Sequence, residues 1–209
     1  MAHKKTKVLI TAGPTREHLD PVRYLSNESS GQMGFALAKA AQEFGCDVTL
    51  IAGPVQISTP PKVKRIDVIS GRQMHKKVME HAKKSDLIIM AAAVSDWRPK
   101  KQSKGKIKKG SKAPSFSLVN NPDILAELCK KKKADQTIVG FALETSNLEK
   151  NAKTKLKKKG CNWIVANNAR AIGAKQGRAL LFNSQGKKIS LPLLPKEDLA
   201  VIILSHVMC

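Results

Sequence analysis

The chain has 209 residues, of which 42% are hydrophobic and only 4% aromatic, so it can bury an aliphatic core and is not globally disordered. No stretch approaches the ~18 uninterrupted apolar residues of a membrane-spanning helix, and the basic segment Met1–Lys7 leads into a short strand, which argues against a signal peptide. Since 38 basic residues face 16 acidic ones, the net charge is +22, which indicates either polyanionic partners (nucleic acid, acidic membrane or phosphorylated metabolites) or a solvated lysine-rich surface. The 4 cysteines form neither a CxxC pair nor a disulfide framework, which favours a reduced, cytoplasmic compartment.

The first half of the chain alternates short apolar runs with amphipathic segments. In chain order it predicts strand Val8–Ala12, helix Met33–Phe44, strands Val48–Ala52 and Arg65–Ile69, helix Arg72–Lys84 and strand Asp86–Ala93. Gly45 is expected to end the first helix, and the last of these strands is apolar on both faces, as a central parallel strand is. This β-α-β-β-α-β order is typical of an α/β layered domain.

The second half begins with a strongly basic segment. Arg98–Lys112 holds eight lysines and arginines and no acidic residue, so we expect a mobile loop there. Ser115–Val119 is interpreted as a short strand that pairs with Lys106–Lys109. Asn121 is interpreted as the N-cap of a helix whose first residue is Pro122. The remaining predicted elements are strand Thr137–Phe141, helix Ser146–Lys159, strand Trp163–Ala166, the strand pair Ala179–Phe182 and Lys188–Leu191, and helix Lys196–Met208. Without an internal repeat or a linker, the whole chain is expected to form one domain.

Ligands of open parallel sheets bind at the carboxyl ends of the strands. The segments that directly follow predicted strands there are Gly13-Pro14-Thr15, Ala92–Arg98, Phe141–Thr145 and Asn167-Asn168. They are small, polar or glycine-bearing, as a nucleotide site requires. Ser29–Gly34, at the mouth of the first helix, holds small residues that let backbone N–H groups and hydroxyls approach a phosphate. The alternative for this segment is an ordinary serine-capped helix start.

Five charged residues are candidates for a ligand site, each with an ordinary structural alternative. Asp96 follows a predicted strand. Its carboxylate could hold Mg²⁺ beside phosphates, and the alternative is that it caps a turn. Lys106 lies in the basic loop and is either a lid residue that closes over a phosphate or a solvated charge. Lys155 and Lys159 share one helix face, where two like charges are unfavourable unless an anion joins them. Asp123 is expected to cap its own helix.

Several segments together resemble one enzyme family in their order and spacing. They are Gly13-Pro14-Thr15-Arg16-Glu17, Asp20-Pro21-Val22-Arg23, Ser26-Asn27, Ser29-Ser30-Gly31, Ala91–Val94 with Asp96, Lys106-Ile107-Lys108-Lys109, Asn121-Pro122-Asp123-Ile124, and Gly140-Phe141-Ala142 with Glu144-Thr145. From Val8 to about Asn168 the chain is similar to the phosphopantothenate–cysteine ligase (phosphopantothenoylcysteine synthetase) family, the ligase half of the bacterial bifunctional coenzyme A biosynthesis flavoproteins. Any contact from residues 169–178 stays open.

This resemblance implies a Rossmann-like three-layer α/β sandwich with a mostly parallel central sheet, an added antiparallel flap and a homodimeric assembly. It also implies that the carboxylate of 4′-phosphopantothenate attacks CTP in the presence of Mg²⁺, and that cysteine captures the acyl-cytidylate and releases CMP. The choice between CTP and ATP stays open. No flavin is expected in this chain, and neither nucleic acid nor membrane is an expected partner. A separate phosphopantothenoylcysteine decarboxylase is one candidate partner, and the alternative, in which the decarboxylase half belongs to the same longer chain, stays open.

The resemblance also assigns roles to residues. Asn27, Arg23 and the Ala93 backbone correspond to a clamp on the acyl-nucleotide intermediate, and Lys106 corresponds to a lysine needed when that intermediate becomes product. The substrate site corresponds to Asn27, Ser29, Ser30 and Gly31. The nucleotide contacts correspond to Met90, Ala91, Ala92, Asp96, Lys106, Pro122, Asp123, Ile124, Leu125, Phe141, Lys155 and Lys159, and Asp96 also has the position of the cation site.

Two other function classes stay open from the residues alone. A dinucleotide-binding oxidoreductase shares the fold class, but the first predicted strand ends in Gly13-Pro14-Thr15 rather than in GxGxxG. A nucleic-acid-binding module would explain the charge, but the sequence lacks an aromatic platform on which single strands stack.

Overall fold

The computed structural model describes residues 5–110, 113–168 and 173–208. Its elements in chain order are β1 (Lys7–Ala12), β2 (Arg16–His18), β3 (Tyr24–Ser26), α1 (Gln32–Glu43), β4 (Asp47–Ala52), β5 (Lys64–Asp67), α2 (Gly71–Ala82), β6 (Leu87–Met90), β7 (Trp97–Pro99), β8 (Leu118–Asn120), α3 (Ile124–Lys131), β9 (Thr137–Glu144), α4 (Leu148–Lys159), β10 (Trp163–Asn168), β11 (Gln176–Asn183), β12 (Lys188–Pro195) and α5 (Lys196–Val207).

One large sheet organises these elements. It has eight strands in the order β12-β11-β10-β9-β6-β1-β4-β5, and the six strands from β10 to β5 run parallel. The antiparallel pair β11 and β12 extends one edge. β1 and β6 lie in the middle because their residues are apolar on both faces, so that Leu9 and Ile10, or Ile88 and Ile89, are all buried.

Helices cover both faces of the sheet. α1 and α5 pack on one face, where Phe35 and Leu37 of α1 share a buried cluster with Leu199 of α5. α2, α3 and α4 pack on the other face, with Met74 and Leu128 in a second buried cluster. The three-layer α/β architecture with a mostly parallel sheet is therefore confirmed. Among the described residues, no helix combines the length and the apolar character needed to cross a bilayer.

Two short antiparallel strand pairs stand at the carboxyl ends of the central strands. β2 pairs with β3 directly after β1, and β7 pairs with β8 after β6. β2 also contacts β7, so the two pairs form one flap over this edge of the sheet. The antiparallel flap that the resemblance implied is thus present.

The structure corrects two predictions about the basic segment. The predicted strand 115–119 is β8, and it pairs with Trp97–Pro99 of β7 rather than with Lys106–Lys109. The predicted loop 98–112 is therefore wrong at its start, since Arg98 and Pro99 belong to a strand. The reason is that the Lys106–Lys109 end of the segment bonds elsewhere: the Ile107 amide donates to Asp20. Ser111 and Lys112 lie outside the described residues.

Several predicted element boundaries are also corrected. Asn121 is not the N-cap of α3, because its amide groups bind the preceding loop: its backbone N–H donates to the Asp96 carbonyl at 2.8 Å and its Nδ2 to the Ser95 carbonyl at 2.9 Å. Asp123 caps this helix, as one prediction had it, with its Oδ1 accepting from the Ala126 N–H at 3.0 Å. α4 begins two residues later than predicted, after the left-handed Asn147.

Candidate functional site

A cleft of about 350 Å³ opens at the carboxyl ends of β6 and β9, a volume typical of a small-molecule site. Its walls come from the loop after β6, the approach to α3, the middle of β9 and one face of α4. The lining residues are Met90, Ala92, Val94, Ser95, Asp96, Asn120, Asn121, Pro122, Asp123, Ile124, Leu125, Phe141, Lys155 and Lys159. Ten of the predicted nucleotide contacts are in this set, whereas Ala91 and Lys106 are not.

The loop after β6 is fixed by two threonine hydroxyls, one from β1 and one from the loop that follows it. Thr11 Oγ1 accepts from the Ala92 N–H at 3.1 Å, and Thr15 Oγ1 accepts from the Ser95 N–H at 3.0 Å. Both threonines are fully buried. The sequence places Thr11 inside an apolar run and Thr15 in a segment that follows a predicted strand, but neither position indicates which group its hydroxyl binds.

Two lysines of α4 provide the positive charge of the cleft. Lys155 Nζ donates to the Phe141 carbonyl at 2.7 Å, and Lys159 forms an ion pair with Asp123 at the start of α3. The lysine pair therefore does have an anion beside it, supplied by the chain itself. Asp123 holds its helix N-cap with Oδ1 and this ion pair with Oδ2.

The ionisation of these groups follows from their surroundings. Burial and then the positive charge of Lys159 lower the pKa of Lys155 below its usual value, so an added anion would stabilise the charged lysine. Burial favours the neutral form of Asp123, but the hydrogen bonds from Lys159 and from the Ala126 N–H outweigh it and hold the pKa of this carboxyl below its usual range. The cleft thus contains charged groups that respond directly to an anionic ligand.

Asn27 lies beside the cleft and reaches the loop after β6. Its Nδ2 donates to the Ala93 carbonyl at 3.1 Å. Ala93 in turn is paired with the loop after β1, through a bridge to Pro14 and a hydrogen bond from its N–H to the Gly13 carbonyl at 2.9 Å. Ala92 and Val94, the residues on either side of Ala93, line the cleft. The hydrogen bond to Ala93 therefore holds Asn27 against the wall of the cleft.

Arg23 and Lys106 lie in the flap rather than in the cleft wall. Arg23 Nη1 donates to the carbonyl of Ile107, the residue after Lys106, at 3.0 Å. The Lys106 side chain is exposed. The structure therefore brings Arg23 next to the Lys106 segment, and among the hydrogen bonds of the described residues none joins Arg23 to Asn27.

Gly31 begins α1 next to the loop after β1. It adopts the left-handed conformation (φ 79°) as the N-cap of α1, without a side-chain cap, so the serine-capped alternative is wrong. A Cβ on Gly31 would lie 3.3 Å from the Gly13 Cα, so the two backbones are in close contact. Ser29 and Ser30, both only partly buried, precede this turn. The helix N-terminus thus presents backbone N–H groups toward small residues, the arrangement suited to an anion.

Asp96 meets the chemical requirements of a magnesium site that is completed by phosphates. Its carboxylate is exposed at the cleft and has no hydrogen-bond or ion-pair partner among the described residues. The same described ranges hold no group of three or more metal-ligating side chains. Mg²⁺ keeps several waters and needs only one or two protein carboxylates when phosphates supply further ligands, so one free carboxylate fits it.

Comparison with known proteins shows the family. The family described as "DNA/pantothenate metabolism flavoprotein C-terminal domain" matches residues 3–209. The chain belongs to this family. Among curated relatives, the coenzyme A biosynthesis bifunctional protein CoaBC of Vibrio cholerae is 46% identical over 204 residues, which cover 95% of this chain and 51% of that protein. CoaBC of Escherichia coli K12 is 41% identical over 211 residues, which cover 98% of this chain and 52% of that protein. The chain spans about half the length of the curated relatives that it matches.

A solved structure shows which half of CoaBC resembles this chain. The crystal structure of the C-terminal domain of CoaBC superposes with a TM-score of 0.85 at 38% identity, and the match covers 97% of this chain and 93% of that one. The family resemblance read from the sequence is therefore confirmed, and so is the fold class.

Proposed function

We propose that the chain is the ligase of the coenzyme A pathway that joins 4′-phosphopantothenate to cysteine at the expense of CTP. The observation that carries the proposal is the contact between two sites: Ala92 and Val94 line the cationic cleft, and Ala93 between them holds Asn27. A ligase of this kind needs a nucleotide site and an acyl site that share a wall, since the acid must reach the α-phosphate.

The nucleotide is proposed to occupy the cleft. Lys155 and Lys159 would neutralise phosphate oxygens, since they are the cations of the cleft wall. Phe141, half-buried in the floor, would support the base. The approach to α3, residues Pro122–Leu125, would contact the nucleotide through its backbone, which explains why the sequence leaves the choice of CTP or ATP open.

The acyl group is proposed to lie between Asn27, Arg23 and the turn at Ser29–Gly31. The Asn27 amide can donate to an oxygen that carries developing charge, as an oxyanion donor does. Arg23 is 45% exposed and stays accessible to an anionic substrate. The backbone N–H groups at Gly31 suit the phosphate of 4′-phosphopantothenate.

The reaction then proceeds in two steps. A carboxylate oxygen of 4′-phosphopantothenate attacks the α-phosphorus of CTP, the bond to the bridging β-phosphate oxygen breaks, and pyrophosphate leaves. The cysteine amine attacks the acyl carbon of the acyl-cytidylate, the bond from that carbon to the CMP oxygen breaks, and the amine loses a proton. Lys106 would neutralise the phosphate of CMP as it departs. A free carboxylate is a poor acyl donor, so the nucleotide supplies the leaving group.

Asp96 would hold the magnesium ion that accompanies the triphosphate. The ion would neutralise part of the phosphate charge, so that the triphosphate can approach the carboxylate of 4′-phosphopantothenate. Lys155 and Lys159 of α4 would share that task, and the negative charge of Asp96 favours the charged form of Lys155.

The experiment follows pyrophosphate and amide formation by the purified chain with 4′-phosphopantothenate, cysteine and Mg²⁺, using CTP and ATP separately. We expect amide and pyrophosphate in equal amounts, and an acyl-nucleotide by mass spectrometry when cysteine is omitted. Lys159→Gln should raise KM for the nucleotide about tenfold or more, by loss of a charged hydrogen bond. Lys158→Gln is the matched control, since Lys158 is exposed on the same helix.

Two outcomes would contradict the proposal. The first is no amide with any nucleoside triphosphate. The second is tight binding of NAD(P)H, or of DNA at physiological salt, without nucleotide-dependent pyrophosphate release. Either result would move the assignment to one of the alternative classes.

The proposed ligase is expected to act as a cytoplasmic homodimer. Support for a dimer comes from large apolar side chains that the flap leaves exposed, among them Val22, Tyr24, Trp97 and Leu118. Light scattering at micromolar concentration measures the oligomeric state, and a monomer would contradict this part of the proposal.

A further inference from the structure

Asp20 is a buried carboxylate in the turn between β2 and β3. Its side chain is fully buried, yet both oxygens are saturated with donors. Oδ1 accepts from the backbone N–H groups of Val22 and Arg23, each at 2.7 Å. Oδ2 accepts from Arg23 Nη1 and from the Ile107 N–H, each at 3.1 Å.

These bonds join two parts of the chain that are far apart in sequence. Arg23 Nη1, held by Asp20, also donates to the Ile107 carbonyl at 3.0 Å. A second attachment lies four residues earlier, where the Ser103 N–H donates to the Leu19 carbonyl at 2.9 Å. The segment from Ser103 to Ile107, which carries Lys106, is therefore held against the β2–β3 turn at both of its ends.

We propose that Asp20 is a positioning residue that fixes Arg23 and the Lys106 segment relative to each other, so that both cations act on one acyl-nucleotide. The inference rests on the proposed ligase function. Lys106 is exposed and has a long, flexible side chain, so its backbone must be held for the charge to arrive at a defined place. Asp20 provides this restraint without contacting the substrate, because it is buried beneath the turn.

The carboxylate is ionised under assay conditions. Burial opposes ionisation, but the N–H groups of Val22, Ile107 and Arg23 and the charge of the Arg23 guanidinium hold the pKa of Asp20 below its usual range. All four of its partners are donors, so the site accepts a carboxylate and not an amide. In Asp20→Asn, the new NH₂ group faces two N–H donors in either orientation of the amide, and one pair of hydrogen bonds is lost.

The test compares Asp20→Asn with Lys106→Gln and with the double variant. Asp86→Asn is the matched control. It also replaces a carboxylate that accepts a backbone hydrogen bond by a neutral amide, in this case at the Lys7 N–H (2.7 Å) at the opposite end of the sheet, where the amide oxygen can keep the bond. We measure kcat and KM for amide formation, acyl-nucleotide accumulation by mass spectrometry, melting temperature, and the rate of tryptic cleavage at the lysines of the segment.

We expect Asp20→Asn to lower kcat on the order of 100-fold and to speed cleavage of the segment about tenfold. We also expect both Asp20→Asn and Lys106→Gln to accumulate acyl-nucleotide. The double variant should have a kcat within about threefold of Lys106→Gln, since Asp20 is proposed to affect turnover mainly through the position of Lys106. Asp86→Asn should match the wild type in kcat and in cleavage of the segment. Should Asp20→Asn melt below the assay temperature, Ile107→Pro removes the amide donor to Asp20 while it leaves the carboxylate and Arg23 in place, and cleavage after Lys104 and Lys108 is followed instead.

Three outcomes would overturn the proposal. The first two concern Asp20→Asn and are an unchanged rate of cleavage, or faster cleavage with an unchanged kcat. The third is a double variant whose loss of kcat equals the product of the two single losses. A wild-type chain that forms no amide contradicts the proposed function separately. Cleavage of the segment does not depend on turnover and would still decide whether Asp20 holds it.

Discussion

Gly53→Ala tests whether the loop after β1 must lie close to β4 for the candidate site to form. Gly53 follows β4, and a Cβ built on it would lie 1.7 Å from the carbonyl oxygen of Pro14. An ordinary contact between carbon and oxygen is roughly 3.3 Å, so the loop would have to move by about 1.6 Å. The atom in the way belongs to the backbone, and no side-chain rotation can relieve the contact.

The expected loss of stability follows from the bonds that this loop makes. Ala93 exchanges two hydrogen bonds with it, from its N–H to Gly13 at 2.9 Å and to its carbonyl from Thr15 at 3.3 Å. Two backbone bonds contribute about 1 kcal/mol each, and overpacking adds about 1–3 kcal/mol. Loss of glycine freedom in the unfolded chain offsets about 0.5–1 kcal/mol. The free energy of unfolding should therefore fall by roughly 2–4 kcal/mol, which lowers Tm by about 4–16 °C for a chain of this size.

Thermal unfolding and the amide-formation assay together check this prediction. The same displacement moves the Ala93 carbonyl that Asn27 holds, so activity should fall on the order of 100-fold below the melting transition. Gly110→Ala is the control, because a Cβ there has no neighbour within 4 Å. A Gly53→Ala protein with Tm within 2 °C of the wild type (about 0.5–1 kcal/mol) and full activity would refute the steric argument.

Three further changes have defined outcomes. Asn27→Asp replaces the amide donor to the Ala93 carbonyl by a carboxylate oxygen, so amide formation should fall on the order of 100-fold while circular dichroism and Tm change little; normal turnover would contradict the clamp role. Lys155→Met removes a lysine whose pKa is lowered by burial and by a neighbouring lysine. The wild type should therefore gain stability relative to the variant as the pH rises toward 10.5. Urea unfolding measures this difference, and parallel pH profiles of the two proteins would contradict it. Hydrogen bonds from Lys153 and Lys188 lower the pKa of Glu149 to about 2. The stability that these bonds provide is therefore complete above pH 4.5 and is lost as the pH falls toward 2. Glu149→Gln should lack this acid-dependent loss.

The sheet was predictable because its signal is local. The runs at Val8–Ala12 and Val48–Ala52 are apolar on both faces, and such runs become central parallel strands whatever the flap does. The charged residues of the cleft could be singled out as candidates from the sequence, but Pro122 and Phe141 are ordinary residues in isolation, and their grouping with the others came from the resemblance. Their common position in one cleft follows from the topology, in which β6 and β9 are adjacent.

The flap was not predictable for a physical reason. β7 and β8 are three residues each and carry no alternation of apolar and polar side chains, so the pairing of Trp97–Pro99 with Leu118–Asn120 leaves no periodic signal. Asn121-Pro122 has the composition of a helix start, and only the carbonyl groups of Ser95 and Asp96 divert it from that role.

The ion pair between Asp123 and Lys159 means that one cation of the cleft already has an anionic partner within the chain. A ligand that takes Lys159 must exchange one anion for another, and the carboxylate that it displaces still caps α3. For the proposed nucleotide, the charge of a triphosphate would favour this exchange and a neutral nucleoside would not, so the ion pair would discriminate between ligands by their charge.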